Sequence, residues 1–374
     1  MEIVFIIGFV QAFFIGMILL NKKNKSLSDK ILAVWIFEIG LHLLLYYLDY
    51  AEYYDRLPHL LGLIVPLPLV AGPFLLMYVD SLISKKQKFN RLMLIHFAPA
   101  IIYYIFISPI MLMSAEDKMH YVYEIMPVEM PLYFDVFGIL ISLSGPIYVL
   151  WSMILLRKHY VHIKEEFSYT EKINLKWLRN LIGGMALIWT LVLVGDFLDE
   201  KTASMLIFTS VTIFVFIIGY YGTRQGVIFT DQKILSAPNE EQIKKKYEKS
   251  PLDVNQSKSM FDQLLKFMKE SKPYLESKIT LRQLAEQIDT TPNYLSQVIN
   301  ENLNQNFYDF VNKYRVDEFK QKLEGDTAMN YTLFGHARDC GFSSKSSFHE
   351  VFKKHTGQTP SKYLSNLRHP SVSQ

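Results

Sequence analysis

Residues 279–302 read ITLRQLAEQIDTTPNYLSQVINEN. Thr280 stands where a side-chain oxygen can cap a helix start, and Leu281, Leu284, Ala285 and Ile288 recur at helical spacing. The small Ala285 allows a second helix to cross closely. Asp289, Thr290 and Thr291 supply turn chemistry, and Pro292 suits the first turn of the next helix, where its missing N–H is not needed. In that second helix Tyr294, Leu295, Val298 and Ile299 alternate between packing and exposure. Asn293, Ser296, Gln297 and Asn300 fall on the outer side, with amide and hydroxyl groups suited to base edges and phosphates. The stretch predicts a helix-turn-helix, with Tyr294 counted among its contact residues.

The pattern continues toward the C-terminus. A longer helix is expected over Phe307–Leu323, with Phe307, Phe310, Val311, Tyr314 and Phe319 on its apolar side. Residues 331–364 then read YTLFGHARDCGFSSKSSFHEVFKKHTGQTPSKYL. Ala337 again takes the close-contact position, Gly341 permits the turn, and Phe342, Phe348, Val351 and Phe352 are candidate core. Ser343, Ser344, Lys345, Ser346, Ser347, His349, Glu350 and Lys353 decorate the second recognition helix and its approach. Gly357 and Pro360 punctuate its end.

At these residues a resemblance becomes specific. Residues 257–366 resemble the paired helix-turn-helix DNA-binding domain of the AraC/XylS family of bacterial regulators, through PNYLSQVIN, the central FxxxVNxYRV helix and, most distinctively, GFSSKSSFHEVFKKHTGQTPSKY. The resemblance implies two recognition helices joined by the long helix and entering adjacent major grooves on one face of double-stranded DNA. Carried over by position, Asn293, Ser296 and Gln297 belong to the first and Lys345, Ser346, His349 and Glu350 to the second. Lys353 and Lys354 suit phosphate or a solvated surface. Three positions depart from the family pattern. His336 replaces an aliphatic residue, Asn304 a common Gly and Phe319 a frequent Ala. Cys340, before the turn glycine, reads as a small core residue rather than a redox sensor.

Upstream the composition changes. Ile3–Leu20 is an apolar run with Gln11 as its one clearly polar side chain, long enough to cross a hydrocarbon core of about 30 Å. The only early charge is Glu2, and the lysines follow the run, which favours a retained span over a signal peptide. Six more apolar stretches follow, near 31–48, 60–79, 92–111, 132–156, 181–198 and 205–221. Backbone groups in lipid must be satisfied within the segment, so these are expected to be helices. Pro66, Pro68, Pro73, Pro99, Pro109 and Pro146 imply kinks. Alternate connections hold 14 Lys/Arg (22–30, 85–91 and 157–179) against only Arg56, Lys118 and Lys201 in the others. The positive-inside rule then sets the N-terminus outside and the C-terminus in the cytoplasm. Glu38 and His42 lie four residues apart near the middle of the second helix and share one face. An ionisable group there is costly, so they are read either as an interhelical hydrogen bond or as signal-sensing residues. His96, Asp135 and Asp196 lie nearer helix ends.

The chain average conceals this division. Overall the 374 residues are 50% hydrophobic with a formal charge of +3, and the mean hydropathy of +0.13 describes neither half. Residues 1–223 hold 17 Lys/Arg and 18 Asp/Glu, whereas 224–374 hold 22 and 18. A single Cys excludes an intrachain disulfide and a multi-cysteine metal site. No HExxH or GxSxG motif is present, so neither enzyme activity nor any metal or cofactor is expected. Residues 255–374 carry 16 basic and 13 acidic groups, too even a balance for charge alone to argue nucleic-acid binding.

The expected fold is therefore all-α. It comprises a seven-transmembrane-helix bundle over 1–223, a cytoplasmic linker over 224–256 around Lys244–Lys246, an all-helical DNA-binding domain with two helix-turn-helix units over 257–366, and a tail over 367–374. The expected function is a membrane-embedded transcription regulator of the bacterial inner membrane. Its expected partners are double-stranded DNA, the lipid bilayer, a second copy of the chain and an unidentified small-molecule or membrane signal. The alternative is a membrane sensor whose C-terminal domain is an interaction module for another regulator. A seven-helix enzyme or transporter with a regulatory tail has little support.

Overall fold

The computed structural model describes residues 2–84, 89–169, 175–195, 197–228, 254–324 and 332–368. Asp196, Lys172, the lysines at 85, 86 and 88, Lys244–Lys246 and the tail beyond 368 lie outside the described residues. The described chain is all-helical. Its β structure is a lone antiparallel bridge, Phe167 to Thr280. Two units are resolved, 1–157 with 175–237 and 158–174 with 238–374. Residues 158–174, a connection of the apolar half by sequence, thus group with the C-terminal unit.

The first unit contains α1 (Glu2–Leu20), α2 (Leu27–Tyr50), α3 (Pro68–Ile83), α4 (Ala98–Met111), α5 (Ala115–His120), most of α6 (Leu132–Glu166), α7 (Lys176–Gly195) and α8 (Glu200–Ile228). Local chemistry explains several boundaries. Ser26 caps α2 in a reciprocal box with Asp29, whose carboxylate also pairs with Lys22 at 2.7 Å. Ser114 caps α5. A 3₁₀ segment, Arg91–Phe97, leads into α4 and extends it to a 21-residue apolar span. Helix α1 packs on α2 and α8, α7 on α8, and α2 on α3, around buried Trp35, Tyr78, Leu181 and Val215.

Among the described residues, six helices are long and apolar enough to cross a membrane, where seven were expected. The third stretch, 60–79, is the difference. It forms a 3₁₀ turn at Pro58–Leu60, and α3 begins only at Pro68, giving 16 residues or about 24 Å at 1.5 Å per residue. Pro66 and Pro68 account for the shortfall, because a proline lacks the N–H that a helix interior needs and is accommodated only in a first turn.

Large apolar side chains face outward along this unit, among them Ile3, Phe14, Ile105, Ile139, Leu150 and Phe197. In the second unit only Val161, Leu275 and Leu367 do so among the described residues.

The second unit contains α9 (Val254–Glu270), α10 (Leu281–Gln287), α11 (Pro292–Leu303), α12 (Phe307–Glu324), α13 (Leu333–Asp339), α14 (Lys345–Thr356) and α15 (Pro360–Arg368). It has two cores sharing one helix. Phe307, Phe310 and Val311 of α12 pack with Leu264, Met268, Leu284, Leu295 and Ile299. Tyr308, Val316, Phe319 and Leu323 of the same helix pack with Ala337, Phe342, Phe348, Val351 and Phe352. Helix α12 is thus a spine with one small domain on each half.

Candidate DNA-binding surface

Each half of the second unit is a helix, a turn and a helix. In the first, Thr280 Oγ1 accepts from Gln283 N at 3.2 Å while Gln283 Oε1 accepts from Thr280 N at 2.8 Å, the reciprocal cap that starts α10. The turn closes with Thr290 N donating to Ala285 O at 2.9 Å. Asp289 is left-handed there, φ +53°. Ala285 is fully buried, as the close crossing requires. Thr291 caps α11 through Tyr294 N, with Pro292 in its first turn. At the far end Asn304 adopts φ +52°, so the Asn in place of a Gly takes the left-handed position that ends the helix.

The second half repeats the plan. Thr332 caps α13 and Ser344 caps α14, accepting from Ser347 N at 3.2 Å. Gly341 makes the turn at φ +91°. Its surroundings explain the residue type: an added Cβ would overlap the Tyr274 carbonyl and lie 2.8 Å from Arg315 Nε. His336, which departs from the aliphatic pattern, is buried beside Ala337. Cys340 is fully buried in the second core, and burial pushes its thiol up to about 12, so it is a neutral packing group. Phe319 is fully buried too, its ring 4.7 Å from Phe348 and 5.5 Å from Phe352. A large ring here fills the second core.

The expected contact residues divide by exposure. On α11, Asn293, Gln297 and Asn300 are exposed and Tyr294 and Ser296 half-buried. At α14, Ser343, Lys345, Ser346, Glu350 and Lys353 are exposed, and Ser347 and His349 half-buried. Some have intramolecular work as well. Gln297 Nε2 donates to Glu301 Oε1 at 2.8 Å, and Ser346 lies 3.2 Å from Ser344, hydroxyl to hydroxyl. Lys354 is bound to Asp309 of α12 at 2.6 Å, which ties α14 to the spine and favours Lys353 over Lys354 as a phosphate ligand.

In the first unit Glu38 and His42 sit half-buried on α2. Neither carboxylate oxygen of Glu38, nor Nε2 of His42, has a hydrogen-bond partner among the described residues. Among the described residues the Glu38 carboxylate thus makes no interhelical hydrogen bond. Gln11 of α1 carries an amide in the same condition.

The FxxxVNxYRV resemblance contains Arg315 but implies no role for it, and in the structure this side chain ties several segments of the second unit together. Arg315, on the spine, is 1% exposed. Its five donors reach Tyr274 O at 2.8 Å, Ser168 O at 3.0 Å, Asn312 Oδ1 at 3.2 Å, Ser168 Oγ at 3.1 Å and Glu276 O at 2.7 Å, the full donor capacity of a guanidinium. The signal was present in the helical register. Val311, Arg315 and Phe319 follow at intervals of four, which puts a charged residue in line with two core positions.

Two cap-and-turn halves on one spine, each presenting a polar helix, define a helix-turn-helix domain. Residues 284–366 match the helix-turn-helix domain family. Over 85 residues the chain is 34% identical to an uncharacterized helix-turn-helix-type transcriptional regulator of Staphylococcus aureus (strain COL), a match spanning 23% of this chain and 11% of that protein. A solved protein of unknown function from Listeria innocua is 26% identical over 31% of this chain and 97% of its own, with a TM-score of 0.25. The C-terminal unit thus carries a helix-turn-helix domain of the AraC type.

Proposed function

We propose that the protein is a membrane-embedded transcription regulator, which reads promoter DNA through α11 and α14 and takes its signal in the apolar unit. The carrying observation is the spine α12, which holds two recognition helices in one small domain and leaves their polar side chains accessible. Asn293, Ser296 and Gln297 are assigned to bases in one major groove, and Lys345, Ser346, His349 and Glu350 to bases in the next. Lys353 is assigned to phosphate. With so small a positive balance on the domain, base contacts and pairing of two chains carry much of the affinity.

Membrane embedding is supported by the outward apolar side chains of the first unit. A soluble monomer rarely exposes large apolar side chains along so many of its helices. Charge placement supports seven crossings despite the short α3. Were α3 not to cross, the basic connections at 85–91 and 157–179 would lie opposite the one at 22–30. The C-terminal unit would then leave the cytoplasm. Counting α3 as a crossing restores one sign to one side, and a helix of about 24 Å is accommodated by local thinning of the bilayer. Glu38, whose carboxylate has no hydrogen-bond partner among the described residues, and His42, whose Nε2 has none, are assigned to sensing.

The test is retention of genomic fragments by the full chain in lipid nanodiscs, followed by single substitutions. Asn293→Ala and Lys345→Ala should each weaken a retained fragment by roughly 1–3 kcal/mol and relax preference at one base position. Lys353→Ala should weaken all fragments alike and lower the salt slope by about one. Glu38→Gln should change reporter output in cells without changing fragment affinity. Failure of the wild-type chain to retain any fragment counts decisively against the proposal.

A further inference from the structure

Residues 158–168 are the end of α6 and its exit, and they belong to the second unit. They are built into it. Ile163 is 2% exposed and Ser168 1%. Ser168 Oγ donates to Ile279 O at 2.7 Å, and Ser168 N donates to the same oxygen at 3.3 Å. The Ser168 carbonyl accepts from Asn312 Nδ2 and Arg315, both at 3.0 Å. Phe167 forms the bridge to Thr280, the residue that caps α10. The Lys164 ammonium lies over the Tyr308 ring of the spine at 5.3 Å. Beside the segment is a cleft of about 350 Å³, with Lys164 and Glu165 on one side and Asn300 and Asn304, at the end of the first recognition helix, on the other.

Arg315 is where this segment meets both halves of the DNA-binding domain. Its guanidinium holds Tyr274 O and Glu276 O, just before the first helix-turn-helix. The turn of the second packs against it, through Gly341 beside Nε and the Phe342 ring 6.0 Å from Cζ. Ser168 supplies two of its five acceptors. A solvated loop of a membrane domain does not bury a serine in this way or donate to the carbonyl that precedes a helix cap.

We propose that residues 158–168 form a regulatory arm: seated on Ile279, Asn312 and Arg315, the arm holds the two recognition helices in one relative orientation, and displacement of α6 by a signal reaches DNA reading through Ser168. Because α6 is one continuous helix from Leu132 to Glu166, its rotation or translation acts directly on the arm. Ser168 is a positioning residue. The energetic lever is the cost of leaving a buried charged donor without its acceptor. This inference rests on the DNA-binding reading only for its final step.

The test uses the full chain in nanodiscs, as wild type, Ser168→Ala and Asn312→Ala, which break the seat from opposite sides. Hydrogen exchange should quicken by roughly tenfold at the amides of 340–342, the turn of the second half, in both variants. Exchange in α15 should be unchanged. Quickening confined to 163–169 would make the segment a passive tether, and uniform quickening over 254–368 would make it a plain stability element. Either overturns the arm. On a genomic fragment retained by the wild type, both variants should lose about tenfold in affinity when two half-sites are present. On a fragment trimmed to one half-site they should lose little, since a single recognition helix needs no fixed partner. Equal losses on both fragments also overturn it. If the wild type retains no fragment, DNA binding fails while the exchange pattern still decides whether the arm couples the two halves.

Discussion

Gly341 and Gly357 provide a matched pair of perturbations. Both are left-handed, at φ +91° and +76°, so alanine at either pays about 1–2 kcal/mol for its backbone conformation. Their surroundings differ. Nothing lies within 4 Å of a Cβ built on Gly357, which ends α14. A Cβ on Gly341 overlaps the Tyr274 carbonyl and approaches Arg315 Nε to 2.8 Å, and those two atoms are themselves hydrogen-bonded at 2.8 Å. The carbonyl is backbone and the guanidinium has four other bonds, so neither yields without opening the junction of the two halves. Overpacking of this kind costs a further 1–3 kcal/mol or so. Gly341→Ala should therefore exceed Gly357→Ala by about 2 kcal/mol, close to thirtyfold in an opening equilibrium. Hydrogen exchange of the full chain measures it locally, as protection factors of amides in α13 and α14. Gly341→Ala should deprotect both helices, and Gly357→Ala only the last turn of α14. If the two variants fall within about threefold of each other, the steric account of the second turn is wrong.

Three further outcomes follow from the same cores. Phe319→Ala removes a fully buried ring packed at a tilt on Phe348 and edge-to-face on Phe352 and should cost about 3–5 kcal/mol. It should be read as loss of protection through α13 and α14, and a loss below about 1 kcal/mol would mean that the second core closes over the space. Cys340, buried and with its thiol pushed up to about 12, should resist maleimide at pH 8 in the native chain and react once denatured; rapid native labelling would contradict the packing role. For Glu318, burial works to raise the carboxyl, but hydrogen bonds from Lys272 and Tyr274, with the Lys272 charge, outweigh it and hold it below the ordinary 4.5. A depressed acid contributes stability that is fully present above the unfolded value and is lost as pH falls through the folded one. Protection near Lys272 and α12 should accordingly fall below about pH 4.5 in the wild type and change much less in Glu318→Gln.

The two helix-turn-helix units were legible in the sequence because their signals are local. Thr280 with Gln283, Thr291 with Pro292, and Gly341 before Phe342 each act within four residues, and the helical register of Leu284, Leu295 and Val298 specifies the core faces. The apolar half was legible for a different reason, run length, and one helix came out shorter than its run where local chemistry overruled it. Two prolines two residues apart, Pro66 and Pro68, delayed α3 although the hydropathy of 60–79 is unbroken.

The arm was not legible, since its contacts join residues 111 to 147 positions apart and neither end is conspicuous. Ser168 lies among ordinary polar residues, and Arg315, although a letter of the FxxxVNxYRV motif, shows its buried position only when its register with Val311 and Phe319 is followed. The consequence is a boundary that differs by criterion. By composition the DNA-binding domain begins after the linker, near residue 257. By hydrogen bonding it also requires residues 158–168. A fragment cut at the compositional boundary keeps Arg315 but removes two of its five acceptors, and removes one of the two acceptors of Asn312 Nδ2. Such a fragment retains both recognition helices but lacks the contact that links the spine to α6. It therefore reports the chemistry of DNA contact while omitting the step at which a membrane signal would act.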